Sequence, residues 1–123
     1  MAVTSWGNYP SVESSAVACL WRDALPGVLL KSAKPLLAYG NGRSYGDSCL
    51  NAGGASILTR SLRRVLEFDR DAGVFHAESG MTLAEMHPLT LPHRWFVPVT
   101  PGTQHVTLAG AAANDVHGKN HHQ

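Results

Sequence analysis

The chain has 123 residues, one domain's worth at roughly 100–200 residues per domain. Ten Lys and Arg against nine Asp and Glu leave a net charge of +1, which excludes a nucleic-acid binder that works by bulk positive charge. Hydrophobic residues at 44% exclude a disordered chain, while charged residues at 15% fall below the about 25% of an ordinary domain. So little charge predicts that part of the surface is covered by a ligand, a partner or further sequence.

In chain order, residues 1–14 read as an irregular start with Gly7, Pro10 and several Ser. Ala16 to Arg22 is expected to be a short buried strand. Asp23 to Ser32 is expected to be a short helix, with Asp23 as N-cap and Pro26 in its first turn. Pro35 to Tyr39 is an apolar run of strand length that stops at Gly40, where a Gly-rich loop runs to Gly54. Ser56 to Thr59 predicts another strand. Arg63 to Asp69 and Val74 to Ser79 predict a hairpin about Asp71-Ala72-Gly73, since Gly supplies the positive φ such turns need.

Thr82-Leu83-Ala84-Glu85 matches a capping box, so a helix starts there and stops or kinks near Pro88. Trp95 to Val99 reads as a strand and Pro101-Gly102 as a turn. Thr107 can cap a last helix, Leu108 to Asn114, built almost wholly of small residues. Strands and helices of both kinds make the class α+β.

No stretch approaches the ~20 apolar residues that span a bilayer, and Arg22 is the first positive charge, so neither a membrane span nor a secretory leader is expected. Cys19 and Cys49 have no metal-like spacing. They favour free thiols in a reducing, cytoplasmic setting, with one disulfide left open.

Three segments can carry chemistry. The first is Gly40-Asn41-Gly42-Arg43-Ser44-Tyr45-Gly46-Asp47, directly after a strand. Its glycines let backbone N–H groups approach a bulky anion and form a nest suited to phosphate oxygens. Arg43 and the Ser44 hydroxyl can add donors. It is neither a Walker A loop nor the Rossmann fingerprint, and a plain surface turn is the competing reading.

The second segment is Pro101-Gly102-Thr103 followed by Thr107-Leu108-Ala109-Gly110-Ala111-Ala112-Ala113. A helix of Ala and Gly lets a backbone or flat ligand come close, and unpaired N–H groups at its start would favour a pyrophosphate. A tightly packed core helix is the alternative. The third is Asp115 to His122. His117 and Lys119 could serve a cofactor or an oxyanion, or His117, His121 and His122 could hold a metal, although Gly118 breaks the helix that such spacing needs. His76, His87, His93 and His105 share no spacing and read as ordinary histidines.

Taken in this order, the three segments resemble the FAD-linked oxidase family of the vanillyl-alcohol-oxidase fold, whose N-terminal unit is the PCMH-type FAD-binding domain. Within it they are most similar to the branch of decaprenylphosphoryl-ribose 2′-oxidases and sugar-lactone oxidases. The carrying residues are Gly40–Asp47 with Asn51-Ala52-Gly53-Gly54, Val97 to Thr103, and Asn114 to His122.

The resemblance implies FAD as cofactor. It implies that Gly40, Asn41, Gly42, Arg43, Ser44, Tyr45, Gly46, Asp47 and Ser48 wrap its pyrophosphate. It also places Gly102, Thr107, Leu108, Ala109, Gly110 and His117 on the cofactor. Tyr45 and Lys119 take the substrate side as catalytic residues, no metal is used, and FAD accepts a hydride from a sugar, sugar-lactone or alditol carbon that bears a hydroxyl.

Two substitutions depart from the family pattern. Arg43 stands where covalent members carry a His, so the FAD is expected to be non-covalent. Ala109 stands where a glycine is usual. Family members are also much longer, so the chain reads as the N-terminal part of the FAD domain, without its C-terminal substrate domain. It is expected to be inactive alone and open to self-association. A non-catalytic flavin- or nucleotide-binding module and a small His-cluster metal protein are the rival functions.

Overall fold

The computed structural model of the chain describes residues 3–119. The fold divides into two compact units, Met1–Leu62 and Arg63–Gln123. It combines parallel and antiparallel strands with short helices, the α+β class expected.

In the first unit, β1 (Ser15–Ala18), β2 (Leu36–Tyr39) and β3 (Ala55–Leu58) form a fully parallel sheet in the order β1-β3-β2. Parallel neighbours need crossovers. α1 (Leu25–Lys31) lies in the first, and the Gly-rich loop is the second. β3 is the central strand, and its Ala55, Ser56 and Ile57 are all buried. Cys19, Ile57 and Leu62 form the core, with Val17, Leu25, Val28 and Leu36 packed on it. The buried Ser56 hydroxyl meets Ser14 Oγ at 3.1 Å, so its polarity is satisfied.

Two expectations for this unit change. β1 ends at Ala18, not Arg22, because its partner ends at Leu58 and only the Cys19 N–H extends the pairing, to Leu58 O at 3.1 Å. A 3₁₀ turn over Arg22–Ala24 then leads into α1. Asp23 lies inside that turn, and α1 has Ala24 as its N-cap with no side-chain cap. Pro26 does fall in the first turn of α1, where a missing N–H does no harm.

The second unit opens with the hairpin of β4 (Val65–Asp69) and β5 (Val74–Ala77). Its turn is held by Asp69 Oδ1, which accepts from the N–H groups of Asp71 and Ala72 at 3.0 and 2.9 Å. Gly73 has φ of +68°, and a Cβ there would strike the Trp95 ring. Behind the hairpin, the Glu78 carboxylate is buried. It accepts from the Arg64 N–H at 2.9 Å and pairs with the Arg64 guanidinium at 3.1 Å.

α2 (Leu83–Thr90) starts with the expected capping box. Thr82 Oγ1 accepts from the Glu85 N–H, and Glu85 Oε2 accepts from the Thr82 N–H at 2.9 Å. The helix runs through Pro88 to Thr90 before tightening into a 3₁₀ turn at Leu91–His93. The segment Trp95 to Val99 is not a strand. Arg94 turns left-handed at φ +64°. The Trp95 N–H closes on Thr90 O at 3.2 Å, and the indole N–H donates to Arg70 O at 2.6 Å. The side chain expected to fill a strand instead covers the hairpin turn.

α3 (Leu108–Ala113) is stitched to the start of α2. Thr82 and Thr107, the two N-caps, face each other as an antiparallel bridge. Each helix donates its first N–H groups to the lead-in of the other. Leu83 and Ala84 donate to Val106 O and Gln104 O, and Leu108 and Ala109 donate to Met81 O and Ser79 O. Met81, Leu83 and Met86 form the core beneath them, with Phe75, Ala77, Val97, Val106 and Leu108.

Candidate FAD-binding site

The loop Gly40–Ser48 leaves β2 at the carboxyl end of the parallel sheet, where ligands of open α/β sheets bind. β2 is fixed there because Tyr39 O accepts from both the N–H and the Oγ1 of Thr59, at 3.0 and 3.1 Å. Two turns bend the loop. Gly42 and Gly46 have φ of +62° and +56°, a region that L side chains rarely enter.

The backbone N–H groups of Gly42, Arg43, Tyr45 and Gly46 have no acceptor among the described residues. Four free donors on one short loop make a site for an anion with several oxygens. The loop returns to β3 through Asn51, whose amide donates to Pro35 O and Ala55 O at 2.9 and 3.0 Å. Asn51 is a brace that sequence reading does not reveal, because one partner lies just before β2 and the other on β3.

An N-terminal strap, read from sequence as an irregular start, braces the same loop. The Tyr39 hydroxyl donates to Thr4 O at 2.6 Å and accepts from the Thr4 N–H at 3.3 Å. The Trp6 N–H donates to Ser44 O at 3.0 Å. The Arg43 guanidinium sits 5.4 Å from the Trp6 ring centroid. Tyr45 is 79% exposed, and its carbonyl accepts from the Ser48 hydroxyl at 3.1 Å. Beside the loop, burial pushes the Cys49 thiol above its ordinary pKa, against weaker opposing hydrogen bonds from its own backbone and from Ser44. Cys19 and Cys49 are free thiols.

In the second unit the structure brings Gly102, His117 and Lys119 together. Thr100, Pro101, Gly102, His117, Gly118 and Lys119 line one open cleft of about 550 Å³. The device that returns the chain to the Pro-Gly turn is the end of α3. Asp115 takes φ of +48°, the Val116 N–H reaches Ala111 O at 2.9 Å and the Asp115 N–H reaches Ala112 O at 3.3 Å. This is a Schellman closure with Asp where Gly is usual. Its signal is hidden in sequence because the motif is read from glycine. His117 Nδ1 lies 3.1 Å from Asp115 O, which fixes the ring against its own turn.

The start of α3 corrects one expectation. Its first N–H groups are not unpaired. Leu108 and Ala109 donate to Met81 O and Ser79 O in the segment between β5 and α2, and Gly110 donates to Thr107 Oγ1 at 3.1 Å. Thr107 itself is buried. The start of α3 is therefore closed as a helix-end anion site, with Thr107 and Leu108 packed inward and Ala109 exposed. Of the proposed metal ligands, His121 and His122 lie outside the described residues. Among the described residues no helix is long and apolar enough to cross a membrane.

The chain is 34% identical over 121 residues to decaprenylphosphoryl-beta-D-ribose oxidase of Mycolicibacterium smegmatis, a match that covers 95% of this chain and 26% of that protein. It is 51% identical over 43 residues to an uncharacterised protein of Streptomyces coelicolor encoded in the mprA 5′ region, covering 35% of this chain and 12% of that one. The chain thus spans about a quarter of the oxidase it matches. A family described as FAD binding domain matches residues 28–123, which takes in the glycine loop, the Pro-Gly turn and the cleft alike. A loop of free N–H donors and a cleft behind a Pro-Gly turn suit a dinucleotide, and with that match they make the chain a member of the FAD binding domain family.

Proposed function

We propose that the chain is the FAD-holding part of an oxidoreductase that oxidises a sugar, sugar-lactone or alditol C–OH group, with its FAD held non-covalently. The observation that carries this reading is the loop after β2, where the N–H groups of Gly42, Arg43, Tyr45 and Gly46 have no acceptor among the described residues. Such donors bind a pyrophosphate without a strong positive charge, in keeping with the net charge of +1. Non-covalent attachment is supported by Arg43, since a guanidinium stays protonated and is no nucleophile.

When bound, FAD supplies the two-electron acceptor. The protein's part is position and charge. Gly102, His117 and Lys119 line one cleft; on this reading Gly102 and His117 meet the cofactor, and the Lys119 ammonium steadies a developing oxyanion. The exposed Tyr45 hydroxyl is available to orient a substrate hydroxyl. The sugar class rests on the name of the mycobacterial relative. The two free thiols favour a reducing, cytoplasmic setting.

The test is a chimera that joins this chain to the remainder of the mycobacterial oxidase. Acid precipitation should leave its flavin in the supernatant, and colour in the pellet would refute non-covalent binding. Lys119→Ala and Tyr45→Phe should slow flavin reduction, by about 10²-fold for the lysine, while FAD stays bound. Stopped-flow reduction rates unchanged by both would remove these two residues from the chemistry.

A further inference from the structure

We propose that Tyr39 is a positioning residue for the cofactor loop, clasping the N-terminal strap so that the loop's donors are held in place before a pyrophosphate arrives. The inference rests on reading Gly40–Ser48 as the pyrophosphate cradle. It adds a residue outside that loop and a chain segment, Val3–Asn8, that precedes the family-matched residues 28–123.

Tyr39 is the last residue of β2, so the sheet fixes its backbone, and its ring projects at the root of the loop. One hydroxyl makes both bonds to Thr4, as donor to the carbonyl and acceptor from the N–H. Two residues on, the Trp6 N–H takes the Ser44 carbonyl. The strap therefore grips both the base of the loop and its middle. Val3 and Ser5, on either side of Thr4, are buried, so the strap is anchored and does not trail in solvent.

Gly42 shows what the clasp demands of the loop. A Cβ on Gly42 would fall on the Tyr39 hydroxyl and the Thr4 carbonyl. The clasp and the left-handed turn thus occupy the same space, and each fixes the other. The free N–H groups at Gly42, Arg43, Tyr45 and Gly46 begin at this point. A loop of this length with no anchor must lose its freedom when it binds, and a loop already held avoids that cost.

The experiment compares wild type with Tyr39→Phe, each checked for folding by circular dichroism. Binding of FAD, ADP and riboflavin is measured by calorimetry. ADP carries the pyrophosphate without the flavin, and riboflavin carries the ring without phosphate. Tyr39→Phe should weaken FAD and ADP by about tenfold, the worth of one well-placed hydrogen bond, and leave riboflavin unchanged. Trypsin cleavage after Arg43 should accelerate by a similar factor. If Tyr39→Phe does not fold, Thr4→Pro, which removes the N–H that donates to the Tyr39 hydroxyl, should give the same selective loss.

Wild-type ADP binding that the variant matches overturns the clasp and leaves the cradle standing. Equal losses for ADP and riboflavin also overturn it, because they mark general damage. A wild-type chain that binds neither FAD nor ADP overturns the cradle reading first, and the clasp's role with it.

Discussion

A methyl group at Gly42 meets two obstacles, a left-handed φ of +62° and the contact of Tyr39 with Thr4. The first costs about 1–2 kcal/mol for an L residue. The second requires the strap to move. In the chimera with the remainder of the mycobacterial oxidase, Gly42→Val should therefore abolish flavin retention on a desalting column and lower thermal stability together. Arg43→Ala gives up only the guanidinium contact with Trp6, about 0.5–1 kcal/mol at an exposed site, and keeps every backbone donor. Equal flavin retention by wild type and Gly42→Val would sink the cradle.

Cys49 offers a second check on the same loop. Its thiol is raised by burial, so at pH 8 it holds less reactive thiolate than a free cysteine. Iodoacetamide should alkylate it more slowly than glutathione at that pH, and the rate should keep rising with pH beyond the ordinary thiol range. Labelling as fast as glutathione would mean that the loop is open. At this scale the glycines and Arg43 were legible because the motif is contiguous. The clasp was not, because Thr4 and Tyr39 lie 35 residues apart and nothing in either residue type announces the other.

Among the helices, the two threonine N-caps have more to do than end a helix. Thr82 and Thr107 bridge each other, and around them the first N–H groups of α2 and α3 are cross-donated. Removing one hydroxyl frees a half-buried N–H and loosens the partner helix as well. Thr107→Ala and Thr82→Ala should each cost about 1–2 kcal/mol, and the double variant less than the sum, since the two sites touch. Urea unfolding measures this, and strict additivity would show that the caps act apart.

The capping box, the hairpin turn and the strands β2 and β3 were legible because each is written within a few residues. The strand expected at Trp95–Val99 failed for a tertiary reason. Two aromatics and two valines have strand propensity, but a strand needs an edge to pair with, and Trp95 is held on the Gly73 turn. The unpaired helix start expected at Leu108 failed for the same kind of reason, its acceptors lying far back in the chain at Met81 and Ser79.

For the molecule as a whole, burial is thin. Each core cluster holds three buried side chains, Cys19, Ile57 and Leu62 in one unit and Met81, Leu83 and Met86 in the other. Meanwhile Trp21, Leu30, Tyr45, Val74, Leu91 and Phe96 are all more than half exposed. A chain of this size buries only about two-thirds of the surface its unfolded form exposes, so its stability margin is small. The helix α3 shows the same economy, with Ala109, Ala112 and Ala113 turned to solvent. Surfaces of this kind expect cover, and the mycobacterial oxidase has about three-quarters of its length beyond the matched part. On the proposed function, a flavin held by these residues alone would have no wall to exclude water or clamp a sugar. A polypeptide of these 123 residues alone should therefore hold FAD weakly, elute from a sizing column at a volume that shifts with concentration, and show no oxygen uptake or dye reduction with sugar lactones or alditols. Saturable, flavin-dependent oxidation of any of these by the purified polypeptide would show that the two units already contain a complete active site.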